Sequence, residues 1–157
     1  MKIFDISYKI LQDFLIPLER HKEAFNEINF VSGKEMQTSF GTKNKIQECI
    51  QKYLQDYFAK HKLVLDNIWA QKYFNGRHSA HVHHNAHTSF VWYVQAENDC
   101  SKIIFYNPGW PYVDTHKFEI QPYTGTLLLF NSSIPHEVLP NGNQTRNIIA
   151  GNLKWLK

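Results

Sequence analysis

Apolar positions recur along this chain with different periods, and the main change falls near residue 62. Residues 2–10 alternate loosely, with Ile3, Phe4, Ile6, Tyr8 and Ile10 apolar, which predicts a peripheral strand. Pro17-Leu18-Glu19 reads as a helix start, with Leu18, Phe25 and Ile28 on one side. Gly33 and Gly41 bracket a polar connection. From Thr42 the spacing becomes three and four: Ile46, Ile50, Tyr53, Leu54, Tyr57 and Phe58 form one stripe, opposite Lys and Gln. This predicts a helix over 42–62 that buttresses a sheet.

After His61 short apolar runs alternate with turn residues. Strands are expected at 63–74, 79–84, 88–96, 101–106, 117–121, 125–131, 136–140 and 145–156. Asn75-Gly76, Asn107-Pro108-Gly109, Tyr123-Thr124-Gly125 and Pro140-Asn141-Gly142 supply the turns. About eight strands at this spacing predict a closed or two-sheet antiparallel architecture. That outline is shared by jelly rolls of unrelated function, so it assigns none.

A length of 157 residues with 43% hydrophobic residues suits one domain with its own core. The aromatic share of 15% fits a β-rich interior lined by large rings. A formal charge of +3, evenly spread, does not indicate a nucleic-acid partner. Cys49 and Cys100 lie far apart without CxxC spacing, which excludes a cysteine zinc site and fits a reducing, cytoplasmic setting. The opening segment carries Asp5 and Asp13, so it reads as neither a signal peptide nor a membrane span. Whether the chain forms a homo-oligomer stays open. The sequons at Asn131 and Asn143 read as chance matches.

Histidine changes the picture. Of nine, five fall between His78 and His87. Residues two apart on a strand share a face, so His81 and His83 can chelate one cation while Val82 and His84 point away. A swap of His83 for His84 would break that parity. A third ligand must come from another strand, and His136, after the apolar run 126–130 and beside Pro135, is the best candidate. His-x-His with a distal His is a metal arrangement used by several barrel-type oxygenases and cupins. A surface histidine tract is the competing reading. His78, His84, His87 and His116 are expected to be supporting or surface groups. Arg146 lies ten residues after His136, at the start of the last strand. Inside a barrel its charge needs an anionic partner, which a dicarboxylate would supply through a bidentate pair. A structural Arg at a strand entry is the alternative.

These residues sit in a pattern that resembles the 2-oxoglutarate/Fe(II) oxygenase family of bacteria and phages. The matching elements are Trp69, Gly76, His81-Val82-His83 and the strand Ser89-Phe90-Val91-Trp92-Tyr93-Val94. They continue with the turn Phe105-Tyr106-Asn107-Pro108, the run from Gly125 through Ser132 to Pro135-His136, and a closing strand from Arg146 to Asn152. The resemblance covers about residues 69–152. It implies a double-stranded β-helix (a cupin-like jelly roll), mainly β with N-terminal helices. Residues 1–62 would form a helical part packing on the barrel, and 63–157 the jelly-roll core.

The resemblance also implies Fe(II) at His81, His83 and His136, with 2-oxoglutarate as small-molecule co-substrate. Arg146 takes the position facing the distal carboxylate, and Tyr93 offers a second contact. The implied activity is a dioxygenase, a hydroxylase whose primary substrate the sequence does not name. This sequence departs from the commonest pattern in two places. His83 stands where Asp or Glu is usual, and Ile148 stands where a Ser or Thr often follows the Arg. A three-histidine cupin-like dioxygenase without 2-oxoglutarate and a non-catalytic jelly-roll binding protein are the rival readings.

Overall fold

The computed structural model describes residues 11–14, 47, 48, 50–52, 54–74, 77–107, 110–112, 115–140 and 144–157. The strand expected at 2–10, the helix expected from Pro17, Gly33, Gly41, Ile46, Tyr53 and Gly76 lie outside these residues.

The strands are β1 (Leu11–Phe14), β2 (Leu63–Phe74), β3 (His78–His81), β4 (Thr88–Ala96), β5 (Ile103–Tyr106), β6 (Lys117–Ile120), β7 (Thr126–Asn131), β8 (His136–Val138) and β9 (Thr145–Trp155), with helix α1 at Gln55–Lys60 before β2. They form a five-stranded sheet in the order β1-β7-β4-β9-β2 and a four-stranded sheet in the order β3-β8-β5-β6. Every described pairing is antiparallel. This is the two-sheet antiparallel architecture expected from the strand spacing, and the jelly roll that the family resemblance implies.

Alternation within the larger sheet divides its side chains between two cores. Val91 and Tyr93 of β4, Leu128 and Phe130 of β7, and Ile148 and Ala150 of β9 cluster with Ile103, Phe105 and Val138 of the smaller sheet. Phe90, Trp92, Leu127, Leu129, Ile149 and Leu153 take the opposite face, where they meet Ile50, Leu54 and Phe58. Burial on both faces explains why β4 and β7 read as continuous apolar runs rather than alternating ones. Each large side chain so buried contributes on the order of 1.5–3 kcal/mol.

The helical segment does buttress the sheet, with the Phe58 and Phe90 ring centroids 5.1 Å apart. Regular helix in the described part of 42–62 is shorter than its apolar stripe predicts. Gln47, Glu48 and Ile50–Lys52 are helical, Leu54 is a turn with φ −121, and α1 follows. The Leu54 amide still bonds the Ile50 carbonyl at 2.8 Å, and Phe58 bonds Leu54 at 2.9 Å, so the apolar stripe keeps its phase across the irregularity.

Two glycines serve close geometry. Gly125 adopts φ 95 in the predicted turn before β7, a conformation that glycine reaches at no steric cost. Gly151 lies where β9 passes between β2 and β4, and a Cβ there would come within 2.3 Å of the Asn67 carbonyl. Among the described residues no helix is long and apolar enough to cross a membrane.

Candidate active site

β3 and β8 carry the histidine cluster. They pair with His81 opposite His136. β3 ends at His81, so the strand expected over 79–84 stops short, and strand parity does not place His83. A different set of contacts does. The His83 amide donates to the Ser132 carbonyl at 2.9 Å, and the Ser132 amide donates to His87 at 3.1 Å, clipping the 82–87 loop to the turn after β7. Asn85 makes the reversal with φ 65. The His83 ring stacks on Trp69, with centroids 5.8 Å apart.

One nitrogen from each of His81, His83 and His136 lies within 4.8 Å of the others. The Nε2 atoms of His83 and His136 are 3.3 Å apart. An ion about 2.0–2.1 Å from each of two ligating nitrogens holds them roughly 3.0–3.4 Å apart, so this pair already has ligand spacing. The backbone fixes two of the three tautomers. His81 Nδ1 lies 2.7 Å from the Ser79 carbonyl, and His136 Nδ1 lies 2.9 Å from that of Ile134. A carbonyl can only accept, so both Nδ1 atoms carry the proton and both Nε2 lone pairs are left for a metal. Burial pushes His136 down to about 3, with the Ile134 carbonyl opposing and the neighbouring imidazoles adding to the shift. His83 is also shifted down, by burial and by His81, while a side-chain hydrogen bond to Asn152 raises it.

The cluster opens into a narrow cavity of about 30 Å³ whose lining, between the sheets, extends to Arg146. Among the described residues its lining contains no carboxylate. Arg146 is 1% exposed, donates Nη1 to the Ser101 carbonyl at 2.9 Å, and leaves Nη2 buried without a partner. An unpaired buried donor on a cation is costly, and a carboxylate in the cavity would relieve that cost. Tyr93 is fully buried in the same lining, and burial raises its phenol above the ordinary range, against the pull of Arg146. Ile148 also lines the cavity and brings no hydroxyl.

Of the four histidines expected to be supporting or surface groups, His84, His87 and His116 are exposed, and His78 is the supporting one. It lines the cavity, stacks on His81 with centroids 4.0 Å apart, and approaches the Tyr73 hydroxyl at 3.2 Å. Burial pushes it down to about 4, helped by His81, His83 and Arg146. Tyr73 itself was not legible as a site residue. Its ring lies under the Arg146 guanidinium, 4.1 Å from carbon to centroid, and its hydroxyl donates to Gln71 Oε1 at 3.0 Å. Burial pushes Tyr73 up to about 12 despite Arg146, so it stays a neutral donor. The signal that could have found it is alternation on β2, where Trp69, Gln71 and Tyr73 share the cavity face.

A jelly roll with three converging imidazoles at one end of its cavity and a buried, half-satisfied guanidinium at the other has the layout of a metal-dependent oxygenase. The family described as "Putative 2OG-Fe(II) oxygenase" matches residues 67–152, more than half of the chain, and the chain belongs to that family. It is thus a 2-oxoglutarate-dependent oxygenase by family, with Fe(II) and 2-oxoglutarate as its cofactors. No curated protein matches it by sequence. Solved structures share its fold at low identity. An oxidoreductase of the 2OG-Fe(II) oxygenase family from Burkholderia pseudomallei is 10% identical, with a TM-score of 0.67 over 94% of this chain and 85% of its own. HygX from Streptomyces hygroscopicus, solved with iron bound, is 8% identical, with a TM-score of 0.70 over 92% of this chain and 81% of its own. A prolyl-4-hydroxylase from Pseudomonas putida is 16% identical, with a TM-score of 0.52 over 94% of this chain and 88% of its own.

The residues present fit both cofactors. Three neutral nitrogens suit a divalent transition metal, and the orphaned Nη2 of Arg146 suits a carboxylate.

Proposed function

We propose that this chain is an Fe(II)- and 2-oxoglutarate-dependent hydroxylase in which His81, His83 and His136 hold the metal and Arg146 pairs with the distal carboxylate of the co-substrate. The observation that carries this reading is the shared cavity, with the three imidazoles at one end and the unpartnered Nη2 of a buried arginine at the other. When bound, iron and 2-oxoglutarate supply the oxidative activation of O₂. The chain's own work is binding and orientation. Backbone carbonyls at Ser79 and Ile134 keep the Nδ1 protons of His81 and His136 in place, and Arg146, with the neutral phenol of Tyr93 in the same lining, offers donors to an anion. Tyr73, whose own proton goes to Gln71, supports the guanidinium with its ring. The apolar walls of Val91, Ile103 and Phe130 exclude water from between the two ends.

A buried guanidinium facing the metal calls for a carboxylate, and 2-oxoglutarate brings one at the end away from its metal-binding atoms, so Arg146 supports the 2-oxoglutarate reading. Residues 1–62 act in this account as the support of the barrel, with 63–157 as its catalytic core. The test is consumption of 2-oxoglutarate and O₂ with formation of succinate by the iron-loaded protein. Turnover that depends on His136 and Arg146 supports the reading, whereas metal-dependent O₂ uptake indifferent to 2-oxoglutarate overturns it.

A further inference from the structure

His83 is the one member of the cluster whose ring is not oriented by a backbone carbonyl two residues earlier, as His81 and His136 are. It lies beyond the end of β3, where no strand ladder sets its direction. A buried polar chain reaches it instead. Ser89 of β4 and Asn152 of β9 are register partners, and the Ser89 hydroxyl donates to Asn152 Oδ1 at 2.8 Å. Ser89 and Ser132 share a second hydroxyl bond at 2.8 Å. Because the single Ser89 proton goes to Asn152, Ser132 is the donor to Ser89. Ser132, Ser89 and Asn152 are 0%, 1% and 8% exposed, so water does not compete for these bonds. The Asn152 amide is itself anchored on Asn67 Oδ1 at 3.2 Å. At the far end, the Asn152 side chain stands close enough to His83 to raise its pKa as a hydrogen-bond acceptor does, against the downward push of burial.

We propose that Asn152, aimed by Ser89 and Ser132, is the positioning residue that accepts the Nδ1 proton of His83 and so leaves its Nε2 lone pair for the metal. The geometry leaves Nδ1 for this role, because Nε2 is the atom 3.3 Å from His136 Nε2. With Oδ1 as the acceptor, Ser132 donates to Ser89 and Ser89 to Asn152, a directed chain whose bonds strengthen one another. All three imidazoles then present the same tautomer before any ion arrives. Two are set by their own backbone and the third by a side chain 69 positions away in sequence, brought alongside by the β4–β9 register. A metal-bound histidine that donates its other proton to a fixed acceptor is a better and better-oriented ligand. Ser132 serves twice, since its carbonyl also accepts the His83 amide.

The inference rests on His83 being a metal ligand, and the experiment separates the two. Long-range ¹H–¹⁵N spectra of the metal-free full-length chain, labelled in histidine, report the His83 tautomer directly. The expected form carries its proton on Nδ1; a predominant Nε2–H form overturns the proposal. Zinc and cobalt titrations of wild type, Asn152→Leu, Asn152→Asp and Ser89→Ala follow. Asn152→Leu is expected to weaken metal binding by about 10- to 100-fold and to shift the cobalt visible spectrum. Asn152→Asp keeps an acceptor and should restore affinity and spectrum to near wild type, which a purely structural role would not predict. Ser89→Ala, which leaves Asn152 in place, should give a smaller loss and a mixed tautomer. Wild type that binds no stoichiometric metal refutes the ligand assignment itself. Wild type that binds metal with Asn152→Leu equal to it refutes only the role of Asn152.

Discussion

Arg146 and Tyr73 are register partners on β9 and β2, and the guanidinium carbon lies 4.1 Å from the centre of the tyrosine ring. The stacked ring holds the guanidinium plane while Ser101 takes Nη1, and Nη2 is left facing the cavity. An arginine held on two sides in this way is preorganised for a planar, two-toothed partner. Arg146→Lys keeps the charge and loses the fork, so 2-oxoglutarate affinity should fall by roughly tenfold or more. Metal affinity should be retained, because the histidines do not touch this change. Calorimetry with the zinc- or manganese-loaded protein checks both.

Tyr73→Phe isolates the hydroxyl, because the ring and its stacking on Arg146 remain. The hydroxyl's proton is committed to Gln71 Oε1, so its loss should cost stability by about 0.5–1.5 kcal/mol and leave 2-oxoglutarate affinity within a few-fold of wild type. Ile148→Ser, which puts a hydroxyl beside Arg146, should instead tighten 2-oxoglutarate binding. Denaturation and the same titration, run on both variants, measure the two effects.

Acid should destabilise the metal-free protein in a defined window. His136 and His78 are pushed down to about 3 and about 4 in the fold, against an ordinary value of 6.5. Below 6.5 the unfolded chain binds protons that the folded chain refuses, so stability is full above about pH 6.5 and falls as pH drops towards 4. Thermal melts between pH 7.5 and 4 should show this decline. His78→Gln should flatten part of it, since that variant removes one group that must charge on unfolding.

The two cores of the larger sheet should separate stability from metal binding. Phe58 packs on Phe90 on the helix side, away from the cavity. Phe58→Ala should destabilise the fold by about 3–5 kcal/mol. Zinc affinity of the folded fraction should stay within a few-fold of wild type. Chemical denaturation paired with a zinc titration distinguishes the two effects.

Much of this architecture was legible because its causes are local. The strand runs at 63–74 and 88–96 match β2 and β4, and the Tyr123-Thr124-Gly125 turn leads into β7 with Gly125 at positive φ, because alternation, burial and glycine placement are written in neighbouring residues. His81 is singled out by its His-x-His spacing, His136 by its place after an apolar run, and Arg146 by its position ten residues further on at the start of the last strand. What depends on register was not legible. The pairing of Leu11–Phe14 with β7 joins segments more than a hundred residues apart, and the strand lies between the one expected at 2–10 and the helix start expected at Pro17. Tyr73 and Asn152 look like ordinary strand residues until β9 is aligned with β2 and β4, which places one beside Arg146 and the other beside Ser89. His83 was named on strand parity, yet β3 ends before it. Its place in the cluster comes from the Ser132 carbonyl, the Trp69 ring and Asn152.

The central claim is that one cavity binds a divalent metal at His81, His83 and His136 and, facing it, 2-oxoglutarate at Arg146. An anaerobic titration of the Fe(II)-loaded protein with 2-oxoglutarate, followed by its visible charge-transfer absorption, tests both halves at once. The account predicts a band that saturates at one equivalent, is absent in His136→Ala, and in Arg146→Lys requires roughly tenfold or more additional 2-oxoglutarate to reach half its height. A wild-type protein that takes up one equivalent of Fe(II) and shows no band at saturating 2-oxoglutarate would contradict it.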